Sequence, residues 1–454
     1  GDNGVGIYTN RNLTSNKTFN FKYSGSTSGT GIALLFAGQN PTNNLKVNLN
    51  NSTNTTKGMV GIFANGNGTL TNSGDITGKS KEAEFAIVAN NTNVVNTGKI
   101  SLSDANSLSK ANVGIFEKTV GKTITNSGDI TSGKNTIAIY GYGITNTGKI
   151  SVGDGAIGVY SQGGNITING GTISAGENGT TGSNDAVGVY SVGFGQTITN
   201  NATNINIGDS SYGFVNKQTA GGNTFISNTP SITVGNDVVY AYSTDTKGTV
   251  NNKTTLTSTG SGNYGLYSAG NVINDANINF GSGIGNVGVY SISNGTARNL
   301  AGRSITVGGS DPDNNKYGIG MAAGYEKTDF GNIINQGIIN VNGKLSIGMY
   351  ATGAGSTARN DGTINLRTDN TVGMYLDNGA KGVNNGTITT VGSPKGVTGV
   401  AVRNGAEFTN NGTIHINSAG GQAYFSAKGG IIKNYGTFTL DGGATKEYTP
   451  GNKP

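Results

Sequence analysis

Cleaving a glycosidic bond takes two carboxylates held roughly 5–10 Å apart. This chain of 454 residues carries 24 Asp and Glu, but its seven Glu are isolated and most Asp sit where turns are expected. Asp is at home there because it hydrogen-bonds its own turn. The densest carboxylate spot is Asp311-Pro312-Asp313-Asn314. Its oxygens would suit a hard cation such as Ca²⁺, which makes Asp311 and Asp313 weak metal candidates; a proline-containing turn is the plainer alternative. There is one His and no Cys, so a transition-metal site or a His-dependent triad has almost no material. His415 lies between Ile414 and Ile416, and strand alternation sends it outward, alone. Ser and Thr abound without a base beside them. The GxG strings open no helix and carry no phosphate-loop meaning. No catalytic residue and no cofactor is expected.

The residues best placed for binding are tyrosines. Tyr140, Tyr160 and Tyr190 close successive copies of one short phrase, as do Tyr242, Tyr267 and Tyr290, and then Tyr350 and Tyr375. Alternation along a strand puts them outside, next to a column of Gly. A row of exposed rings could stack on sugars or receive a partner's side chains, because Tyr offers an apolar face and a polar tip. The competing expectation is that the rings stack on one another, shield the edge of the core and bind nothing.

What must position them is a repeat of two phrases. One reads ITNTGKI at Ile144–Ile150, ITNSGDI at Ile124–Ile130 and VNNGTI at Val383–Ile388. The other reads IGVYS at Ile157–Ser161, VGVYS at Val187 and Val287, IGMYA at Ile347 and VGMYL at Val372. About 17 copies follow one another at ~20–30 residues, a solenoid period. Each copy holds short alternating runs cut by Gly and Asn, which read as strands and turns. A propeller blade needs ~40–50 residues, so the spacing predicts an all-β parallel solenoid, with residues 1–454 as one continuous segment. The apolar residues on either side of the Gly, such as Val187 and Val189 or Val287 and Val289, are expected to face the lumen, with Gly and Tyr outside. An Asn column (Asn72, Asn96, Asn126, Asn146, Asn169, Asn228, Asn252, Asn274, Asn335, Asn360, Asn384, Asn410, Asn434) is expected to form a ladder of side-chain amides. Asn and the Gly two residues on would supply unusual backbone angles. The copy at Asn299 departs from the pattern, and those before Leu70 fit it less well. Asp75, Lys99, Asp129 and Lys149 alternate along one outer column. Insertions near 174–186, 308–316 and 322–331 are candidate projecting loops, the usual carriers of binding on a solenoid.

The bulk numbers agree. Only 33% of residues are hydrophobic and 12% charged, and 79 are Gly, too little apolar material for thick cores but enough for a thin core repeated along a rod. Formal charge is +6 without a basic stripe, which argues against nucleic acid as a partner. No apolar run approaches the roughly 18 residues that span a bilayer. Gly1-Asp2-Asn3-Gly4 opens within a repeat, as expected of a segment of something longer.

The repeats ITNSGDI, ITNTGKI and VNNGTI, paired with AIGVYS and VGMYL, resemble the passenger regions of very large type V autotransporter adhesins, particularly fusobacterial ones. The resemblance implies a right-handed parallel β-helix, secretion through an outer-membrane barrel, display at the cell surface, and adhesion to host or bacterial cells through a glycan or protein ligand. These residues contain no barrel, so membrane anchoring is implied by the resemblance alone. From the residues themselves, a polysaccharide-active β-helix enzyme and a non-binding stalk stay open as alternatives.

Overall fold

The computed structural model describes residues 4–22, 31–49, 59–176 and 185–448. Its strands build a parallel β-solenoid of about 17 turns at ~25-residue spacing. Among the described residues there is no α-helix, only two short 3₁₀ turns, Leu108–Lys110 and Pro312–Asn314. The chain divides into two compact units, residues 1–218 and 219–454.

From Ile32 onward the coils of the first unit give three short strands, as in Val113–Glu117, Thr123–Asn126 and Ile130–Ser132, followed by Ile137–Gly141, Gly143–Asn146 and Ile150–Val152. Each lies parallel on its equivalent one coil away: Ile115 on Ile139, Phe116 on Tyr140, Asn126 on Asn146 and Ile130 on Ile150. The second unit repeats the arrangement. Val287–Ser291, Gly295–Asn299 and Ser304–Gly309 are succeeded by Ile319–Ala323, Gly331–Asn335 and Ile338–Val341, with Tyr290 on Ala322, Asn299 on Asn335 and Ile305 on Ile339.

The residue after the Gly lines the lumen as expected: Ile115, Ile139, Val159, Leu266, Val289, Met349 and Met374 are fully buried. The Gly itself also points inward, which corrects the expectation from simple alternation. A Cβ on Gly288 would stand 2.5 Å from Cγ2 of Ile305, and one on Gly348 would stand 2.7 Å from Cγ2 of Ile364, both lumen residues. Where the column holds other residues, Ala33, Ala86, Ala138 and Tyr240, they too are buried. The residue before the Gly correspondingly leaves the lumen. Val287, Ile319 and Ile347 cluster with Ala322 beneath Tyr264, Tyr290, Tyr350, Val372 and Tyr375. The cause is local. The ladder pairs Val287 with Ile319 and Val289 with Met321 but skips the Gly between them, so two successive residues turn inward and the period of two is broken once per coil.

The Asn ladder is present in both units. In the first, Asn43, Asn72, Asn96 and Asn126 each donate Nδ2–H to the Oδ1 of the next, ending at Asn146, at 2.7–2.8 Å. In the second it runs from Asn252 through Asn274, Asn299, Asn335, Asn360, Asn384 and Asn410 to Asn434 at 2.8–2.9 Å. Asn299 therefore belongs to it, its two extra residues being absorbed in the turn that follows, and Asn43 extends it into the less regular early coils. Asn169 and Asn228 do not. Ile168 lies on Asn146 and Ser227 on Asn252, because Ile166 and Phe225 set the register from the lumen, and a slip of one residue would turn every side chain over. Neither the ladder Asn nor the Gly two residues on adopts a positive φ. That Gly is required by close approach instead: a Cβ on Gly148 would stand 2.2 Å from the carbonyl oxygen of Gly128.

Outside, Asp75, Lys99, Asp129 and Lys149 do occupy successive rows, next to the paired Ile76, Ile100, Ile130 and Ile150. The carboxylates accept backbone N–H groups, from Lys99 to Asp75 at 3.0 Å and from Lys149 to Asp129 at 3.2 Å. The ammonium that reaches Asp75 is that of Lys46, at 3.3 Å.

Of the three insertions, 174–186 begins within the strand Thr172–Ala175, and residues 177–184 lie outside the described residues. The 308–316 insertion begins in the strand Ser304–Gly309 and continues through the 3₁₀ turn. The 322–331 insertion starts late, since Ala322 and Ala323 belong to a strand; an antiparallel bridge between Tyr325 and Asp329 closes the rest.

Candidate binding face: the tyrosine columns and their flanking cavity

The eight tyrosines are half-buried, above the residues that precede the Gly. In the first unit Tyr140 and Tyr160 stack at 4.7 Å with 4° between planes, and Tyr160 and Tyr190 at 5.2 Å with 11°; Phe116 meets Tyr140 edge-on at 4.8 Å. In the second, Tyr267 and Tyr290 stack at 4.8 Å and 12°. Tyr242 tilts by 49° against Tyr267, and Tyr264 meets Tyr290 edge-on at 6.3 Å. The column then passes through Ala322 and resumes with Tyr350 and Tyr375, 5.7 Å apart and tilted by 38°.

The flat pairs Tyr140–Tyr160, Tyr160–Tyr190 and Tyr267–Tyr290 spend their faces on one another, so a sugar cannot slide between the members of such a stack. Several hydroxyls are engaged. Gln162 donates to Tyr140 at 2.6 Å, Tyr290 donates to the carbonyl of Gly324 at 2.7 Å, and Arg403 donates to Tyr375 at 3.2 Å. Burial raises the phenol of Tyr267 to about 12 and also raises those of Tyr160, Tyr290 and Tyr350. All remain neutral at physiological pH.

Beside this face in the second unit lies a cavity of about 400 Å³, lined by Tyr317, Ile319, Ile347, Tyr350, Tyr375 and Asp377. Tyr317 follows the 308–316 insertion and is 39% exposed. Asp377 Oδ1 accepts the backbone N–H of Asn378 at 2.9 Å and Nδ2–H of Asn404 at 2.6 Å; Oδ2 takes part in neither bond. In the first unit a shallow groove of about 590 Å³ has a floor of Gly143, Gly163 and Gly164 between Val120, Tyr142 and Phe194. Sequence reasoning missed Tyr317, Asp377, Tyr142 and Phe194. Phe194 had a signal, an aromatic ring between two Gly, and it is 72% exposed. Tyr317 and Asp377 had none, since only the stacking of coils brings them together.

The other nominated residues are accounted for by their surroundings. Asp311 accepts Nδ2–H of Asn314 at 2.7 Å, within a turn closed by backbone bonds to Lys316. No group of three or more possible metal ligands occurs among the described residues. His415 is not alone: its Nε2 is 2.8 Å from Oδ2 of Asp441, one coil on. Among the described residues two glutamates are fully buried, Glu84 and Glu117. Each uses Oε1, to accept the N–H of Ser80 and of Thr119 respectively, and leaves Oε2 unpartnered. Burial raises them to about 8 and about 7.

The chain matches the family described as the BigA third pectate lyase-like domain over residues 141–387. That is more than half of the chain, and it spans the tyrosines from Tyr160 to Tyr375 together with the cavity. The chain belongs to the BigA third pectate lyase-like domain family. BigA is an autotransporter-type adhesin, so the membership makes this a passenger-like region, without singling out the fusobacterial type. No curated protein and no solved structure gives a significant match.

Proposed function

We propose that this chain is a surface-displayed segment of an autotransporter adhesin passenger, of the fusobacterial style of repeat. It mediates adhesion between cells, through a glycan or protein ligand held at the tyrosine face, and it catalyses nothing. The observation that carries this is the match to a domain of an adhesin on a chain that bears, outside the lumen, a half-buried aromatic face flanked by a cavity. Such faces mark interaction sites on soluble surfaces. Mutual stacking of the rings favours a second reading, a stalk in which the column only stiffens the coils. The pectate lyase-like description keeps the enzyme in view as a third.

One set of assays separates them. Purified segment is expected to bind bacterial or host cells saturably and to release no unsaturated product from polygalacturonate. Binding to no cell type would leave the stalk. Product formation that follows the amount of segment would make it an enzyme.

A further inference from the structure

We propose that the cavity of the second unit takes the ammonium end of a lysine side chain presented by a partner protein. The inference rests on the adhesive function above and names the chemistry of its ligand. Three aromatic rings, Tyr317, Tyr350 and Tyr375, and the apolar side chains of Ile319 and Ile347 form the walls, with Asp377 as the one charged residue in the lining. At about 400 Å³ the space suits a single long side chain, within the range of small-molecule sites.

Charge and geometry choose the occupant. Aromatic faces attract a cation within about 6 Å through the ring quadrupole. Tyr350 and Tyr375 are tilted by 38° rather than stacked flat like Tyr267 and Tyr290 at 12°. Asp377 is anchored through Oδ1 by two donors and has Oδ2 outside both bonds. One open carboxylate oxygen suits a point charge; a guanidinium is matched best by two. Ile319 and Ile347 match the methylene stem, which lysine buries along apolar surface while keeping its head polar. The nearby cation, Arg403, donates to the Tyr375 hydroxyl at 3.2 Å and interacts with the Asp377 charge through space, while both donors bonded to Asp377 are neutral amides.

The test uses the whole segment with ¹³C-labelled Ile δ1 methyls, titrated with Nα-acetyl-lysine amide, Nα-acetyl-norleucine amide, phosphocholine and methyl galactoside. Lysine amide is expected to shift the Ile319 and Ile347 methyls saturably, and norleucine amide at least tenfold more weakly. Asp377→Asn should remove the difference between the two. Tyr317→Ala, on an exposed ring, should weaken lysine binding several-fold with the melting temperature unchanged, and it decides the matter if Asp377→Asn lowers stability. Equal shifts by norleucine and lysine, or stronger shifts by phosphocholine or galactoside, would overturn the proposal. The adhesive function fails separately. If Tyr350→Ala with Tyr375→Ala abolishes cell binding while lysine moves neither methyl, adhesion stands and lysine falls. If that variant adheres like the parent, adhesion at this face falls, whatever lysine does.

Discussion

At the scale of single residues, buried polar groups decide what the coils tolerate. Each ladder Asn except the last of each run donates one amide proton along the solenoid and the other to a carbonyl, as Asn126 does to Asn146 and Gly128. Asn126→Leu would leave the Asn96 amide without its acceptor and the Asn146 carbonyl oxygen without its donor, so a loss of about 2–4 kcal/mol is expected in denaturant unfolding, since each unpaired buried group costs ~1–3 kcal/mol. Glu84 and Glu117 work in the opposite sense. Their folded pKa values, about 8 and about 7, exceed the ordinary 4.5. The unfolded chain therefore releases its protons first as pH rises, and stability falls from about pH 4.5 up to the folded values and is flat beyond them. Glu84→Gln should flatten that decline and raise the melting temperature at pH 8 more than at pH 5. An unchanged pH profile would mean that the Glu84 carboxyl is hydrated. Neither Glu was singled out in the sequence, although Glu117 lies on Ala89, in the buried column that follows the Tyr position.

At the scale of the element, most of the strand pattern was legible and one detail was not. The lumen Ile and the Asn column could be read because their spacing repeats. The side taken by the Gly could not, because strict alternation assumes a period of two, and the skipped residue in the ladder is a backbone feature with no residue type of its own. The same gap misassigned Val287 and Ile347, which lie under the tyrosines. Asn169 and Asn228 were misplaced for a related reason: the lumen residues Ile166 and Phe225, rather than the Asn motif, fix the register. A direct check follows. Gly348→Val would drive its branches against Ile364 and the carbonyl oxygen of Gly373, 2.7 and 2.6 Å from a Cβ, and should cost ~1–3 kcal/mol or more as overpacking. An outward Gly would accept Val at little cost, so retention of full stability would restore the original assignment.

At the scale of the molecule, the solenoid displays the same outer positions again and again, and function depends on where that repetition is interrupted. The tyrosine face was legible as a column; its stacking was foreseen only as an alternative, and the cavity beside it was not foreseen. Family membership supports a passenger-like region, and the open matter is whether the face binds or only stiffens. Cell binding by Tyr350→Ala with Tyr375→Ala, measured alongside thermal unfolding, answers it. These two rings are tilted and flank the cavity. If the face is adhesive, binding drops at least tenfold in a variant that still unfolds cooperatively, its melting temperature lowered by the lost burial of two half-buried rings and by a pair contribution of ~0.5–1.5 kcal/mol. Undiminished binding together with a large fall in melting temperature would contradict adhesion at this face and make the column a structural stack.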